Sequence, residues 1–152
     1  MFRFIKVSIV LLFVALSSSF ASPKSERFPA DYFLVHTNLP HYMQVFQKFG
    51  DDPKLALSSE QKKQMQELMD KTLSVVIKNA TIVRDLELAL QKAVLFENKN
   101  SQQTKDLIEE ILLLRTNLTI THIDCIEGAK KILTKEQDKL FLEELGYKQW
   151  KK

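Results

Sequence analysis

From Lys54 to Glu127 the chain has neither proline nor glycine, and apolar residues recur every three or four positions. A stretch without strong breakers favours long helices. With Met65 as heptad position a, that position also holds Thr72, Asn79, Leu86 and Ala93. Position d holds Leu68, Val75, Ile82, Ala89 and Phe96, and position e holds Met69, Val76, Val83 and Leu90. The opposite face carries Asp70, Lys71, Lys78, Arg84, Asp85, Gln91 and Lys92, with Ile77 as its exception. A seven-residue apolar repeat with a polar back predicts one helix, to about Glu97, packed along a partner. The β-branched runs Val75 to Ile77 and Thr81 to Val83 would suit a strand, but the length of the periodic run decides for helix.

The polar break from Asn98 to Gln103 predicts a hairpin loop. A second long helix follows, from about Thr104 to Lys131. Its packing seam is Leu107, Ile111, Leu114, Leu118, Cys125, Ala129 and Ile132, interrupted by Thr121 or His122. Gly128 is expected to loosen its last turns. A final short helix, Thr134 to Leu145, stops at Gly146. Ahead of the hairpin, Asn38 is the expected cap of a short helix with Pro40 near its first turn. Leu39, Tyr42, Met43, Val45, Phe46 and Phe49 lie at helical spacing there, Gly50 ends it, and Asp51 to Pro53 make a turn. The fold class is therefore all-α: a long helical hairpin with short flanking helices.

The apolar surface exceeds what one hairpin seam can bury. Leu73, Ile77, Leu88 and Leu95 lie off the seam of the first long helix. Ile108, Leu112, Leu113, Ile120, Ile123 and Ile126 lie off that of the second. A stripe wider than one seam needs more than one packing partner. In a chain this short, a second copy is the expected one, giving a homodimer.

One phrase is written twice. Leu57, Ser58 and Gln61 return as Leu133, Thr134 and Gln137, each set opening a helix after a turn. S-x-x-Q and T-x-x-Q are capping boxes: the hydroxyl accepts from the backbone N–H three residues on, and the glutamine reaches back to the cap's own N–H. Glu60 and Glu136 add negative charge in the first turn, at the positive end of the helix dipole. The usual apolar staple partners are polar here, Lys62 and Asp138, so the two leucines must pack elsewhere. The expectation is that the two phrases meet and lock the short helices onto the hairpin.

Composition removes some classes. Residues 1–21 read as a secretory signal: Arg3 and Lys6, an apolar run from Val7 to Leu16, and Ser19 and Ala21 at the cleavage positions. Residues 22–37 form an arm with two prolines and scattered aromatics, and 38–152 form the helical domain. Removing Arg3 and Lys6 from 22 Lys+Arg leaves 20 against 19 Asp+Glu, so no basic excess argues for nucleic acid. The lone Cys125 makes no internal disulfide and reads as a small buried residue. No nucleophile–base constellation stands out, and catalysis needs one, so an enzyme is not expected.

A signal segment, a small helical chain and two L-[ST]-x-x-Q phrases together resemble the LTxxQ family of periplasmic proteins, the Spy/CpxP type. Ser58 stands where that motif usually has threonine, which keeps the hydroxyl. The resemblance spans most of the chain after the signal. It implies a thin, cradle-like antiparallel dimer in the periplasm. It also implies an ATP-independent chaperone for unfolded or misfolded envelope proteins, without cofactor. Leu73, Ile77, Leu88 and Leu95, with Phe28, Tyr32 and Phe33 of the arm, are the candidate client-facing residues. Other branches imply an adaptor restraining a sensor kinase, or a metal-binding protein. For metal the donors are His36, His41, His122, Met43, Met65 and Met69, but His36 and His41 are not at a standard ligand spacing and read as surface histidines.

Overall fold

The computed structural model describes residues 32–35 and 38–147. Residues 1–21, read above as a signal segment, and Phe28, His36 and the tail with Trp150 lie outside the described residues. Four helices follow one another: α1 Tyr42–Phe49, α2 Ser59–Leu95, α3 Lys105–Ile132 and α4 Lys135–Glu144. The fold is all-α, as the periodicity predicts. At ~1.5 Å per residue the long arm of the hairpin, α2, extends about 55 Å. It lies against α3 along most of that length, while α1 touches α2, α3 and α4 at the end where the repeated phrases sit.

The seam on α3 matches the sequence reading. Ile111, Leu118, Cys125 and Ala129 are buried, and the interrupting polar residue is His122. On α2 the reading needs correction. The buried residues are Met65, Met69, Thr72, Val76, Ala80, Val83 and Ala93, so apart from Ala80 the seam uses positions a and e rather than a and d. Val75, Ile82 and Phe96 of position d are 39%, 38% and 75% exposed. An a-to-e step of four followed by an e-to-a step of three has the same period as a and d, so either edge of the stripe can serve. Gly128 helps set the edge. A Cβ there would come within 3.0 Å of both Leu68 methyl carbons, so Leu68 lies against bare α3 backbone. Gly128 therefore permits a close approach and does not loosen the helix, which continues to Ile132.

Two apolar cores result. One gathers Tyr42, Met43 and Val45 of α1 with Leu55, Met65, Met69, Cys125, Ile126, Ala129, Leu133 and Phe141. The other joins Phe33 of the arm to Val76, Val83, Ile111 and Leu118. Each fully buried Leu, Met or Val contributes about 1.5–3 kcal/mol, so the arm's single Phe33 is a real part of the second core. Thr72, 5% exposed, satisfies its hydroxyl on the Leu68 carbonyl at 2.8 Å.

The helix ends carry their own logic. α1 starts at His41, which makes no side-chain cap bond, so Asn38 is not its cap. α4 ends with Gly146 at φ +77, its N–H on the Glu143 carbonyl and that of Tyr147 on Leu142, a Schellman closure that suits glycine. A third reciprocal box precedes α3, one the sequence reading missed. Asn100 Oδ1 accepts from the Gln103 N–H at 3.1 Å and Gln103 Oε1 accepts from the Asn100 N–H at 3.0 Å. N-x-x-Q thus repeats the device of the two phrases, with an amide in place of the hydroxyl.

Candidate functional site

Both predicted capping boxes are formed. The Ser58 and Thr134 hydroxyls accept from the Gln61 and Gln137 N–H groups at 3.1 and 3.2 Å. The two glutamine side chains accept in return from the Ser58 and Thr134 N–H groups at 3.0 and 2.9 Å. The boxes also meet. Gln61 Nε2 donates to Gln137 Oε1 at 2.8 Å, and Gln137 Nε2 donates to Gln61 Oε1 at 3.2 Å. The remaining donor capacity reaches across as well. Gln61 bonds the Ile132 carbonyl, and Gln137 bonds the carbonyls of Leu55 and Ala56.

The polar staple positions turn toward α1. Lys62 reaches Asp51 at 2.6 Å, and Asp138 accepts from the Tyr42 hydroxyl. Leu133 is buried in the α1 core and Leu57 packs against it. The repeated leucines therefore share one core, the repeated glutamines join the phrases, and the residue after each box holds α1 or its following turn.

The candidate client-facing residues divide. Phe33 is 1% exposed and Tyr32 packs beside it on the second core, so neither faces solvent as a free contact. Leu73 is half-buried against the α1 core. Ile77, Leu88 and Leu95 are 49%, 56% and 62% exposed. These four α2 residues belong to one stripe at steps of four or three: Leu73, Ile77, Thr81, Arg84, Leu88, Gln91, Leu95. A matching stripe on α3 runs Ile108, Leu112, Arg115, Thr119, His122, Ile126. Both stripes lie on one side of the hairpin, because Leu73 and Ile126 line the same pocket beneath α1.

That side is covered at one end and open at the other. Near the phrases, α1 and the arm cover Leu73, Thr119 and Ile126. Toward the loop, Leu88, Leu95, Ile108 and Leu112 are at or above 47% exposure. Arg115 bridges to Glu87 across the hairpin where cover gives way to open surface. The result is an apolar strip punctuated by Arg84, Gln91 and Arg115, without a catalytic constellation among the described residues.

His41 and His122 are not scattered surface histidines, as the sequence reading had them. His41 and His122 stack with ring centroids 4.5 Å apart, and Phe33 lies 4.9 Å from His122. His122 is 4% exposed, and no protein group of normal geometry bonds either ring nitrogen. Leaving a buried polar group unsatisfied costs about 1–3 kcal/mol, so this site carries a cost that a leucine would avoid. Burial, then the neighbouring charge of His41, pushes its pKa down to about 4, against a weaker pull upward from the Pro40 carbonyl. Burial likewise pushes the Cys125 thiol up, partly offset by Thr72. Among the described residues no three His, Cys, Asp or Glu side chains group closely enough to hold a metal ion. None of the described helices is long and apolar enough to cross a membrane.

Compared with family models, with characterised proteins and with solved structures, the chain matches none.

Proposed function

We propose that this protein is an ATP-independent chaperone of the cell envelope that holds unfolding proteins on the open half of its hairpin. The observation that carries the reading is the strip of Leu88, Leu95, Ile108 and Leu112, 47–62% exposed on one side of the hairpin and interrupted by charge. Contiguous exposed apolar surface marks an interaction site in a folded protein. A strip of separated leucines and isoleucines offers many weak apolar contacts, and the arginines between them keep the free protein soluble. Such a surface binds exposed hydrophobic segments without sequence preference and releases them as they bury their own core. The resemblance of the two phrases to the LTxxQ pattern supports the same class. Their joined glutamines make the frame that holds the strip in place.

The test is suppression of aggregation of a heat-unfolded or reduced client at stoichiometric ratio, with mass measured by light scattering in the same sample. Delayed aggregation is expected. An unchanged time course at equal molar ratio overturns the reading. The mass decides a linked part of the proposal, that two copies pair along the hairpin's remaining exposed apolar residues.

A further inference from the structure

Among the described residues, Tyr32, Phe33 and Leu34 join the arm to the hairpin. Phe33 sits in the core with Val76, Val83, Ile111 and Leu118. The next residue, Leu34, donates its N–H to Thr119 Oγ1 at 2.8 Å. Leu34 and Val35 themselves are 51% and 42% exposed. The Phe33 ring rests on His122, with planes 22° apart, and His41 completes a three-ring cluster. Phe33 therefore lies over a buried imidazole whose ring nitrogens make no protein hydrogen bond of normal geometry.

The surroundings of that imidazole favour its neutral form. The arm contributes Phe33, and the lead into α1 contributes Pro40 and His41. α1 contributes Tyr42 and Met43, α2 contributes Thr72 and Leu73, and α3 itself contributes Cys125 and Ile126. The titratable groups among these are His41, Tyr42 and Cys125. None is a carboxylate, and Asp138 reaches this region through the hydroxyl of Tyr42. A proton on His122 would thus sit buried beside a second imidazole, with no carboxylate among the described residues that line its pocket.

We propose that His122 is an acid-sensitive latch: its protonation releases residues 32–35 and lifts Phe33 off the second core. The ground that Phe33 leaves lies on the same side as the open strip and lengthens it toward α1. The sign follows from the two states of the ring. With the arm released, the ring is solvated and takes a proton near its ordinary value of 6.5, whereas beneath the arm it does so only near 4. Closure is therefore intact above 6.5 and weakens as pH falls from there toward 4, by up to roughly 300-fold in the closing equilibrium. The latch goes beyond the chaperone reading and does not depend on it, since its test reads the arm and not a client.

The experiment is an NMR titration of the purified protein between about pH 7 and pH 4, following the His122 ring and the protection of the Leu34 amide. Far-UV circular dichroism in parallel follows the helices. The expected result is loss of Leu34 protection with helix content retained, in step with protonation of His122. In H122F, which keeps an aromatic ring and removes the titration, the arm should stay closed over the whole range. Three results overturn the proposal: protonation of His122 with Leu34 still protected, acid release of the arm in H122F, or loss of helices before the arm. If H122F does not fold, the wild-type titration alone decides between the first result and the expected one.

Discussion

Gln61 and Gln137 join their side-chain amides across 76 positions of chain, at 2.8 and 3.2 Å. Each oxygen serves its own capping box and the other glutamine. Each nitrogen serves the other glutamine and a backbone carbonyl of the opposite segment. Gln137 is the more buried partner, at 8% exposure. Gln137→Ala leaves the Leu55 carbonyl without its donor and should cost about 2–4 kcal/mol, against about 1–2 for Gln61→Ala. Because each removes the same shared bonds, the double variant should cost less than the sum by more than about 0.5 kcal/mol. Urea denaturation of the four proteins measures this. Additivity to within about 0.3 kcal/mol would mean that the two amides do not act as a unit.

The same junction holds a strained residue. Ala56 has φ +45, where an L side chain is disfavoured, and its carbonyl accepts from Gln137 at 3.2 Å. The left-handed conformation costs a residue with a Cβ about 1–2 kcal/mol, while glycine's extra unfolded freedom costs about 0.5–1. The difference favours glycine. Ala56→Gly should stabilise the protein by roughly 0.5 kcal/mol, seen as a higher midpoint in urea at unchanged slope. Destabilisation by 1 kcal/mol or so would show that Ala56 is not strained in solution.

Tyr42 supplies a pH dependence of opposite sense to that of His122. Burial, then the hydrogen bond to Asp138 and its charge, pushes the phenol well above its ordinary value of 10.0. The fold therefore favours the protonated phenol. This contribution is intact below the unfolded value and is lost as pH rises beyond about 10. Tyr42→Phe removes the bond and should lower stability at neutral pH by about 1 kcal/mol. Between about pH 10 and 12 the gap between wild type and variant should narrow, since only the wild type has the phenol to ionise. A gap that stays constant over this range would mean that Tyr42 titrates alike in both states.

Much of this arrangement is legible in the sequence because it depends on local chemistry. The two phrases name their caps, since a hydroxyl and a glutamine three residues apart satisfy each other wherever the helix lies. The hairpin follows from breakers and periodicity, and Gly146 follows from the need for a positive φ. What failed depended on the partner. Position d of α2 looks as apolar as position e, and the approach of Leu68 to Gly128 is invisible from either helix alone. The Phe33, His41 and His122 cluster joins residues from three separate segments. His36 and His41 draw attention by their nearness in sequence, while the stacked pair is His41 with the buried His122. The Asn100–Gln103 box could have been found, because it has the same spacing as the other two. An asparagine cap is as good as a serine, and a search restricted to hydroxyl residues passes it over.

The open strip gives the most direct test of where holding occurs. Leu88, Leu95 and Leu112 are at least 50% exposed, so replacing each by serine removes little buried area. Each change should alter stability by no more than about 0.5 kcal/mol. If the strip holds clients, the triple variant should lose most of its ability to delay aggregation while its urea midpoint stays near that of the wild type. Val75 and Ile82 provide the control. They are also apolar and partly exposed, 39% and 38%, but lie on the other flank of α2. Val75→Ser with Ile82→Ser should leave holding intact if that flank faces a second copy or solvent. Equal losses in both sets would mean that holding follows total apolar exposure, and the one-sided strip would no longer be the site.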